Sequence, residues 1–426
     1  MENRKSLKSP ILAGIVGNIL EWYDFALYGH FSVLISRHFF PEGDRILATF
    51  AVFSVSFFMR PLGAMIFSAI GDRHGRRKAL SLSILGMAAP TAAIGLLPDY
   101  SQIGVWATIT LIVFRLLQGI ALGGEMGGAV TFIMEHTPRH LVGRASAWVQ
   151  ASTCLGLLSG TLTASGLSHF LTPAQFDDWG WRIPFLLGIL AAWLGFIIRR
   201  NMSESAVFEI ARNENRLQKN PLGEVQKKYR GAMMTGIGII GPMTCGFFFC
   251  FVYFNSYLVT GIGLASADAL FIISIGLMLS LLATLISGYL ADRFGYRPIL
   301  QKSAALLLIC SLPLIACLSG ELGIRLTLTA YFVLSAMLGV YCSTAFAAVT
   351  ALFPTPIRYS GISITVNLAS PILGSTAPLL VAALTEYLGN QKGLLMFGTY
   401  FTILWILAWF AIRRTDARAF IAWGKD

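Results

Sequence analysis

The loop Gly71-Asp72-Arg73-His74-Gly75-Arg76-Arg77 returns 220 positions later as Ala291-Asp292-Arg293-Phe294-Gly295-Tyr296-Arg297. Each copy lies between two long apolar stretches. A second marker, Thr137-Pro138 with Gly143, recurs as Thr355-Pro356 with Gly361 at an offset of 218. Two markers at nearly one offset, about half the chain, divide it into two halves of common origin. Such a chain is expected to fold as two similar sets of elements. In a membrane protein, duplicated helical halves imply a transporter with its site between them.

Composition enters here because it decides between membrane and soluble repeats. Hydrophobic residues make up 55% of the chain and charged ones 12%, about half the share of a soluble protein. The 42 glycines suit helices packed closely in lipid. Segments of about 20 residues, long enough to span at 1.5 Å per residue, fall near 11–36, 46–70, 79–97, 103–135, 145–168 and 182–199. Six more fall near 231–258, 268–290, 299–318, 325–352, 360–386 and 393–412. The expectation is an all-α membrane protein of twelve transmembrane helices in two pseudo-symmetric six-helix bundles. Residues 1–199 would form the first bundle, 200–230 a cytoplasmic linker and 231–426 the second bundle. The first span is too long and too polar inside for a cleaved signal.

The net charge of +11 follows topology rather than a nucleic-acid partner, and none is expected. Basic residues gather in alternate loops: Arg4, Lys5 and Lys8; Arg73 to Lys78; the linker; Arg293, Arg297 and Lys302; Arg413, Arg414 and Arg418. The opposite loops hold few, mainly Arg37, Arg45, Arg182, Arg325 and Lys392. The positive-inside rule then makes both termini and the linker cytoplasmic. The linker intersperses Glu204, Glu209, Glu214 and Glu224 among its bases, a pattern of short amphipathic helices. The six cysteines lie in apolar segments without CxxC or Cys/His spacing, so no metal site is expected.

The repeated loop needs its residue types for physical reasons. Asp72, near a helix end, is placed to accept charge-assisted hydrogen bonds from a neighbouring helix terminus or an arginine. Gly75 permits a tight turn, and Arg76, Arg77 and Lys78 are expected at the lipid headgroups. Recurrence in the other half makes Asp72, Arg73, Gly75, Arg76 and Arg77, with Asp292, Arg293 and Gly295, the candidate gating latch.

The loop resembles the signature between helices 2 and 3 of the major facilitator superfamily, with its echo between helices 8 and 9. Gly288-Tyr289-Leu290-Ala291-Asp292-Arg293-Phe294-Gly295 matches well, while the first copy has Ser68 where the family has Gly. Arg115-Leu116-Leu117-Gln118-Gly119 resembles the superfamily's helix 4 arginine motif. More narrowly, Gly17-Asn18, Glu21-Trp22-Tyr23-Asp24-Phe25, Arg60-Pro61-Leu62-Gly63, Gly123-Gly124-Glu125 and Trp179 to Phe185 are together similar to the metabolite:proton symporters. That group includes carriers of proline and betaine, α-ketoglutarate, citrate and shikimate. The resemblance implies two six-helix bundles around a central cavity and alternating access. The fifth span, Trp148 to Ser168, lacks the Gly-Pro-rich motif of drug/proton antiporters, which favours uptake over efflux.

Ionisable residues inside the spans carry the mechanism. A charge in the bilayer interior costs roughly 2.5–3.5 kcal/mol on insertion scales and so needs a cavity and a partner. Glu21, Asp24, Arg60, Arg115 and Glu125 are such residues, all in the first half. At about 100° per residue, Asn18, Glu21, Asp24 and Tyr28 share one face of the first span. Arg115, Gln118 and Glu125 share one face of the fourth. Depth counted from each end places Asp24 and Arg115 near the midplane, and a pair between them is expected.

Asp24, Arg115, Glu125 and Glu21 are the proton-coupling candidates, since a carboxylate gains or loses proton affinity as an arginine leaves or joins it. Substrate candidates are Glu21, Arg115, Asn18, Tyr28 and Gln118, with Tyr253, Asn255, Tyr341 and Asn367 from the second half. Glu21 is open to either role. His30 is a secondary proton-relay candidate, Arg60 is expected to be structural, and Glu135 an interfacial loop residue. Neither a phosphate-binding loop nor a nucleophile–base constellation is visible, so the chain is not expected to be an enzyme.

The expected function is a proton-coupled symporter that imports a small polar organic solute by alternating access. A zwitterion such as proline or glycine betaine fits best, because Phe353 to Ser360 resembles the proline/betaine branch. A mono-, di- or tricarboxylate is the alternative; a proton-independent facilitator or a membrane sensor is less favoured. The expected partners are the solute, the proton and the lipid bilayer, with no other cofactor. The protein is expected to be a monomer, multi-pass in a bacterial inner membrane.

Overall fold

The computed structural model describes residues 8–41, 45–200, 203–214, 221–321 and 323–414. Arg4, Lys5 and Arg418 of the basic pattern lie outside the described residues. Among the described residues the chain forms helices and turns, with no strand. That is what lipid demands, since a helix satisfies its own backbone donors and acceptors.

Twelve spans follow in order. The first is Lys8–His30, continued as Ser32–Phe39; then come Arg45–His74, Arg76–Leu96, Val105–Glu135, Val142–Phe170 and Arg182–Arg200. The seventh runs Arg230–Phe248, Phe249–Tyr253 and Phe254–Thr260. The eighth to tenth are Ser266–Phe294, Tyr296–Cys317 and Ile324–Thr350. The eleventh runs Arg358–Ala369, Ser370–Ser375 and Ala377–Leu388, and the twelfth is Asn390–Arg414.

The first span kinks at Phe31, and the backbone bonds Phe31 N to Leu27 O (2.9 Å) and Ile35 N to Phe31 O (2.8 Å) carry the chain through. The seventh and eleventh each contain a π-helical turn, Phe249–Tyr253 and Ser370–Ser375. In the eleventh, Pro371 lacks the N–H that a regular turn would use. The linker holds two short helices, Ala206–Asn213 and Pro221–Lys228. Ser205 caps the first by accepting from the Phe208 N–H at 3.3 Å.

By internal contacts the chain forms two compact units. One comprises Met1–His136, Ser152–Gly223 and Thr355–Ile364; the other Thr137–Ala151, Glu224–Pro354 and Thr365–Asp426. A cut at the linker separates the sequence halves, but each unit also takes the start of one span from the other half. These are the starts of the eleventh and the fifth, the segments that carry the Thr-Pro marker.

In the first unit the second and fourth spans cross at van der Waals distance. A Cβ on Gly119 would sit 2.2 Å from the Ser56 carbonyl oxygen, and one on Gly123 2.1 Å from that of Arg60. Only glycine fits there. At the far end of the third span from Arg76, Trp181 is fully buried against the edges of Phe39 and Phe185. Asp99 gathers His38 (3.1 Å) and Arg182 beside it. The Trp179–Phe185 motif is thus a packed cap on the first unit. The second unit is held by an aromatic column in which Phe249 stacks on Phe397 at 4.7 Å, and Trp405 meets Phe401 and Tyr341.

Candidate functional site

Asp24 and Arg115 meet inside the first unit. Arg115 Nη1 lies 3.2 Å from Asp24 Oδ2, and both residues are buried. Gln118 ties the pair together: its carbonyl accepts from Arg115 Nη1 at 2.7 Å, and its amide donates to Asp24 at 3.2 Å and to Thr91 Oγ1 at 2.7 Å. Thr91 Oγ1 is 3.0 Å from Asp24 Oδ1. The Arg115 guanidinium lies over the Tyr28 ring, 3.4 Å from its centroid. Both Asp24 oxygens are held by donors from Arg115, Gln118 and Thr91, so the carboxylate is oriented before anything binds.

Glu21, one helical turn before Asp24, pairs with Arg60 of the second span at 3.0 Å. Both are buried, and the Arg60 guanidinium also lies over the Phe57 ring at 4.5 Å. Arg60, expected to be structural, is the counter-ion of Glu21. Glu125 Oε2 accepts from Ser83 Oγ of the third span at 2.6 Å. Glu21 lies within electrostatic range of both Glu125 and Asp24. Among the described residues, Glu21, Asp24 and Glu125 thus lie in one cluster with Arg60 and Arg115.

The third and fourth spans carry this chemistry as a ladder of three polar rungs: Thr91 with Gln118, Ser83 with Glu125, and Arg76 with Glu135. The last rung belongs to the repeated loop. Asp72 is fully buried and accepts from the Ser360 N–H (2.9 Å) and Oγ (2.6 Å) at the start of the eleventh span. Its other oxygen lies 3.0 Å from Arg76. Arg76 reaches Glu135 at 3.2 Å and donates to the Gly71 and Thr355 carbonyls, and Glu135 meets Arg358 at 3.2 Å.

Asp72, Arg76, Glu135 and Arg358 thus form an alternating chain of four buried charges. Two expectations are corrected here. Arg76 is not at the headgroups and Glu135 is not an interfacial loop residue, because each neutralises the other. The Phe208 ring of the linker helix closes over Arg76 at 4.5 Å, and Glu204 accepts from the Arg77 N–H at 3.2 Å.

The second copy of the loop makes the same kind of contact in the second unit. Asp292 accepts from the Gly143 N–H (2.7 Å) and the Arg144 N–H (3.2 Å) at the start of the fifth span, and pairs with the Arg144 side chain. Each aspartate therefore sits on a helix N-terminus, where the unpaired N–H groups and the helix dipole favour a negative charge. Gly75 (φ 112°) and Gly295 (φ 91°) turn the chain just beyond, in a conformation that favours glycine. Arg73, Arg77 and Arg293 are exposed.

The remaining candidates are dispersed. Asn18 donates to Ser152 (2.6 Å) and Thr153 (3.0 Å) of the fifth span. Tyr253 shares a hydrogen bond with Thr385 at 3.1 Å, Asn255 lies two residues on and half-buried, and Asn367 is buried in the eleventh span. Tyr341 donates to the Ile239 carbonyl at 2.9 Å, about 20 Å along the seventh span from Tyr253 at 1.5 Å per residue. His30 bonds to Thr161 at 2.9 Å and does not touch Asp24.

Residues 43–375 match the sequence profile of the Major Facilitator Superfamily. The chain belongs to the major facilitator superfamily. It is 31% identical over 411 residues to the proline/betaine transporter of Escherichia coli (strain K12), covering 93% of this chain and 81% of that one. It is also 31% identical over 384 residues to the citrate-proton symporter of Klebsiella pneumoniae, covering 89% and 86%. Among solved structures, a proton:xylose symporter bound to 6-bromo-6-deoxy-D-glucose shares the fold, with a TM-score of 0.80 at 16% identity over 96% of both chains. As a superfamily member the protein is a multi-pass membrane transporter rather than an enzyme.

Sequence reasoning missed Thr91 and Ser83, the partners supplied by the third span, and Arg358 and Ser360, which complete the latch. A signal for the first two was present: Arg76, Ser83 and Thr91, at spacings of 7 and 8, share one face of that helix.

Proposed function

We propose that this transporter is a proton-coupled symporter that imports a small polar solute, with both termini cytoplasmic, in a bacterial inner membrane. The observation that carries the reading is the cluster of Glu21, Asp24 and Glu125 against Arg60 and Arg115. Glu21 and Asp24 are each buried against an arginine. A buried carboxylate that loses its arginine gains proton affinity, because an uncompensated buried charge costs several kcal/mol. Such a pair has the chemistry coupling requires, provided that conformation alters the pairing. The proton is the coupling ion, and the protein works as a monomer without another cofactor.

The solute we favour is a zwitterion such as proline or glycine betaine. The similarity to a proline/betaine transporter supports this choice. So does the cluster, which offers little uncompensated positive charge to a di- or tricarboxylate. A zwitterion would set its carboxylate toward Arg115 and its ammonium toward an acid or an aromatic face, where cation–π attraction adds to the contact. The equal identity to a citrate-proton symporter keeps a carboxylate as the second reading.

The two loop aspartates are proposed as gate latches that hold the cytoplasmic side shut. Each ties the end of one span to the start of a span from the other sequence half.

Uptake of radiolabelled solutes into proteoliposomes, with and without an inward proton gradient, tests the reading. Proline or glycine betaine should accumulate only with the gradient and should compete better than citrate or α-ketoglutarate. Asp24→Asn should abolish gradient-driven accumulation while exchange persists, because exchange needs no net proton movement. Inhibition by dicarboxylates alone promotes the second reading, and an Asp24→Asn variant that accumulates like the parent removes the coupling assignment.

A further inference from the structure

The cap at the end of the first span holds a titratable group that neither the midspan cluster nor the latch uses. His38 sets Nδ1 3.1 Å from Asp99 Oδ2 and Nε2 2.9 Å from the Asp177 backbone carbonyl oxygen. Both oxygens are acceptors. A backbone carbonyl has no hydrogen to give, and Asp99, whose other oxygen pairs with Arg182, faces His38 as a carboxylate. A neutral imidazole carries one N–H and one bare nitrogen, so either tautomer turns a nitrogen lone pair onto an oxygen lone pair. Only the imidazolium, with an N–H on each nitrogen, donates to both.

Among the described residues no other histidine is placed this way. His30 meets the Thr161 hydroxyl, which can accept or donate. His136 meets the Phe132 carbonyl with one nitrogen, and its other nitrogen has no hydrogen-bond partner.

The groups that face the His38 ring come from several elements. Arg182, at the start of the sixth span, also donates to the Gly95 and Leu97 carbonyls at 3.3 and 2.7 Å. Arg37, on the same helix as His38, lies 3.8 Å from the Asp177 carboxylate. On the two turns, Asp178 is exposed and Tyr100 half-buried. Glu42, Asp44 and the Arg45 side chain lie outside the described residues. The Trp181 ring is 5.3 Å from the imidazole, centroid to centroid, a distance at which an aromatic face attracts a cation. The His38 side chain keeps 14% of its surface exposed, which lets a proton come and go.

Through these contacts one ring joins three pieces of chain: the end of the first span, the turn after the third and the turn before the sixth. The first span also carries Glu21 and Asp24, so the ring fixes one end of the segment on which two midspan carboxylates sit.

We propose that His38 is a pH-sensitive pin: as an imidazolium it holds the end of the first span to Asp99 and Asp177, and on losing a proton it lets that cap loosen. On release one ring N–H bond breaks and the proton passes to water. The bare nitrogen then faces an oxygen lone pair, and one of the two hydrogen bonds is lost. Because folding gathers acceptors for both N–H groups, the pin stabilises the fold at low pH and ceases to do so as the pH rises.

The test is thermal unfolding of the whole protein in mixed micelles, parent beside His38→Gln, from about pH 5 to about pH 8, where histidine changes charge. Glutamine stays neutral throughout, and every other titrating group is common to the two proteins. The parent should melt above the variant at the acid end, and the gap should close at the alkaline end. A gap of one size at both ends, a gap that widens with pH, or no gap at all overturns the proposal. Where His38→Gln does not fold, hydrogen exchange of the parent decides, corrected for the intrinsic effect of pH. The Gln102 and Ile103 amides donate to the Asp99 carbonyl at 3.0 and 3.2 Å, and the Trp181 amide to that of Phe176 at 3.2 Å. All three should open more readily at the alkaline end, and equal protection at both ends overturns the proposal.

Discussion

Two sets of buried charges, both resting on the second and fourth spans, are built differently. At the latch, Asp72, Arg76, Glu135 and Arg358 form one alternating chain. At midspan, Glu21 and Asp24 each have an arginine of their own, Arg60 and Arg115. A chain is suited to holding helices in one arrangement, because its inner charges are held from both sides. Separate pairs can be broken one at a time, and a carboxylate that loses its arginine gains proton affinity. We propose that this difference separates gate from coupling site.

The sharpest way to break the comparison is to take one charge out of the chain. Glu135→Gln leaves Arg76 and Arg358 opposite Asp72 alone, so a buried charge loses its partner. Unfolding in mixed micelles should show a loss of about 3–5 kcal/mol. The double variant Glu135→Gln with Arg358→Met leaves one acid, Asp72, against one base, Arg76, and should recover much of that loss. A double variant as unstable as the single one would mean that packing, not charge count, governs the latch.

The two loop latches sharpen it further, because they share a motif but not an environment. Asp72 is fully buried within a four-charge chain, while the Arg144 side chain that pairs with Asp292 is 48% exposed. Asp72→Asn should therefore open the cytoplasmic side more than Asp292→Asn, read as labelling of cysteines placed at that side. Unchanged labelling in both variants would reduce the loops to topology signals.

The smallest effect is ionic. A pair with one exposed partner, such as Arg144–Asp292, is screened by salt more than a fully buried one. Raising ionic strength in the parent should loosen the second latch slightly and leave the first unchanged. A first latch equally sensitive to salt would contradict its burial.

The spans were legible in the sequence because each is a long, mostly apolar run, and the loop aspartates because duplication repeats them. The Asp24–Arg115 pair was legible too, from helical periodicity and depth counted from each end. Arg76 and Glu135 were misread, since a basic loop residue next to the lipid and one folded under a neighbouring helix look identical in one dimension. Ser83 and Thr91 passed unnoticed for a related reason. A hydroxyl in a membrane helix satisfies itself on its own backbone, as Thr91 also does on Met87 at 2.9 Å. Only the neighbouring helix shows that it meets a carboxylate as well. Tyr341, chosen as an aromatic for a solute, has its hydroxyl committed to the Ile239 carbonyl. Nothing in its own sequence context announces that bond.

Solute accumulation in proteoliposomes with an inward proton gradient, paired with solute exchange on the same samples, tests most directly whether the Asp24–Arg115 pair couples the proton to transport. The parent should accumulate solute, and Asp24→Asn should exchange solute without accumulating it. An Asp24→Asn variant that accumulates solute as the parent does would contradict the account.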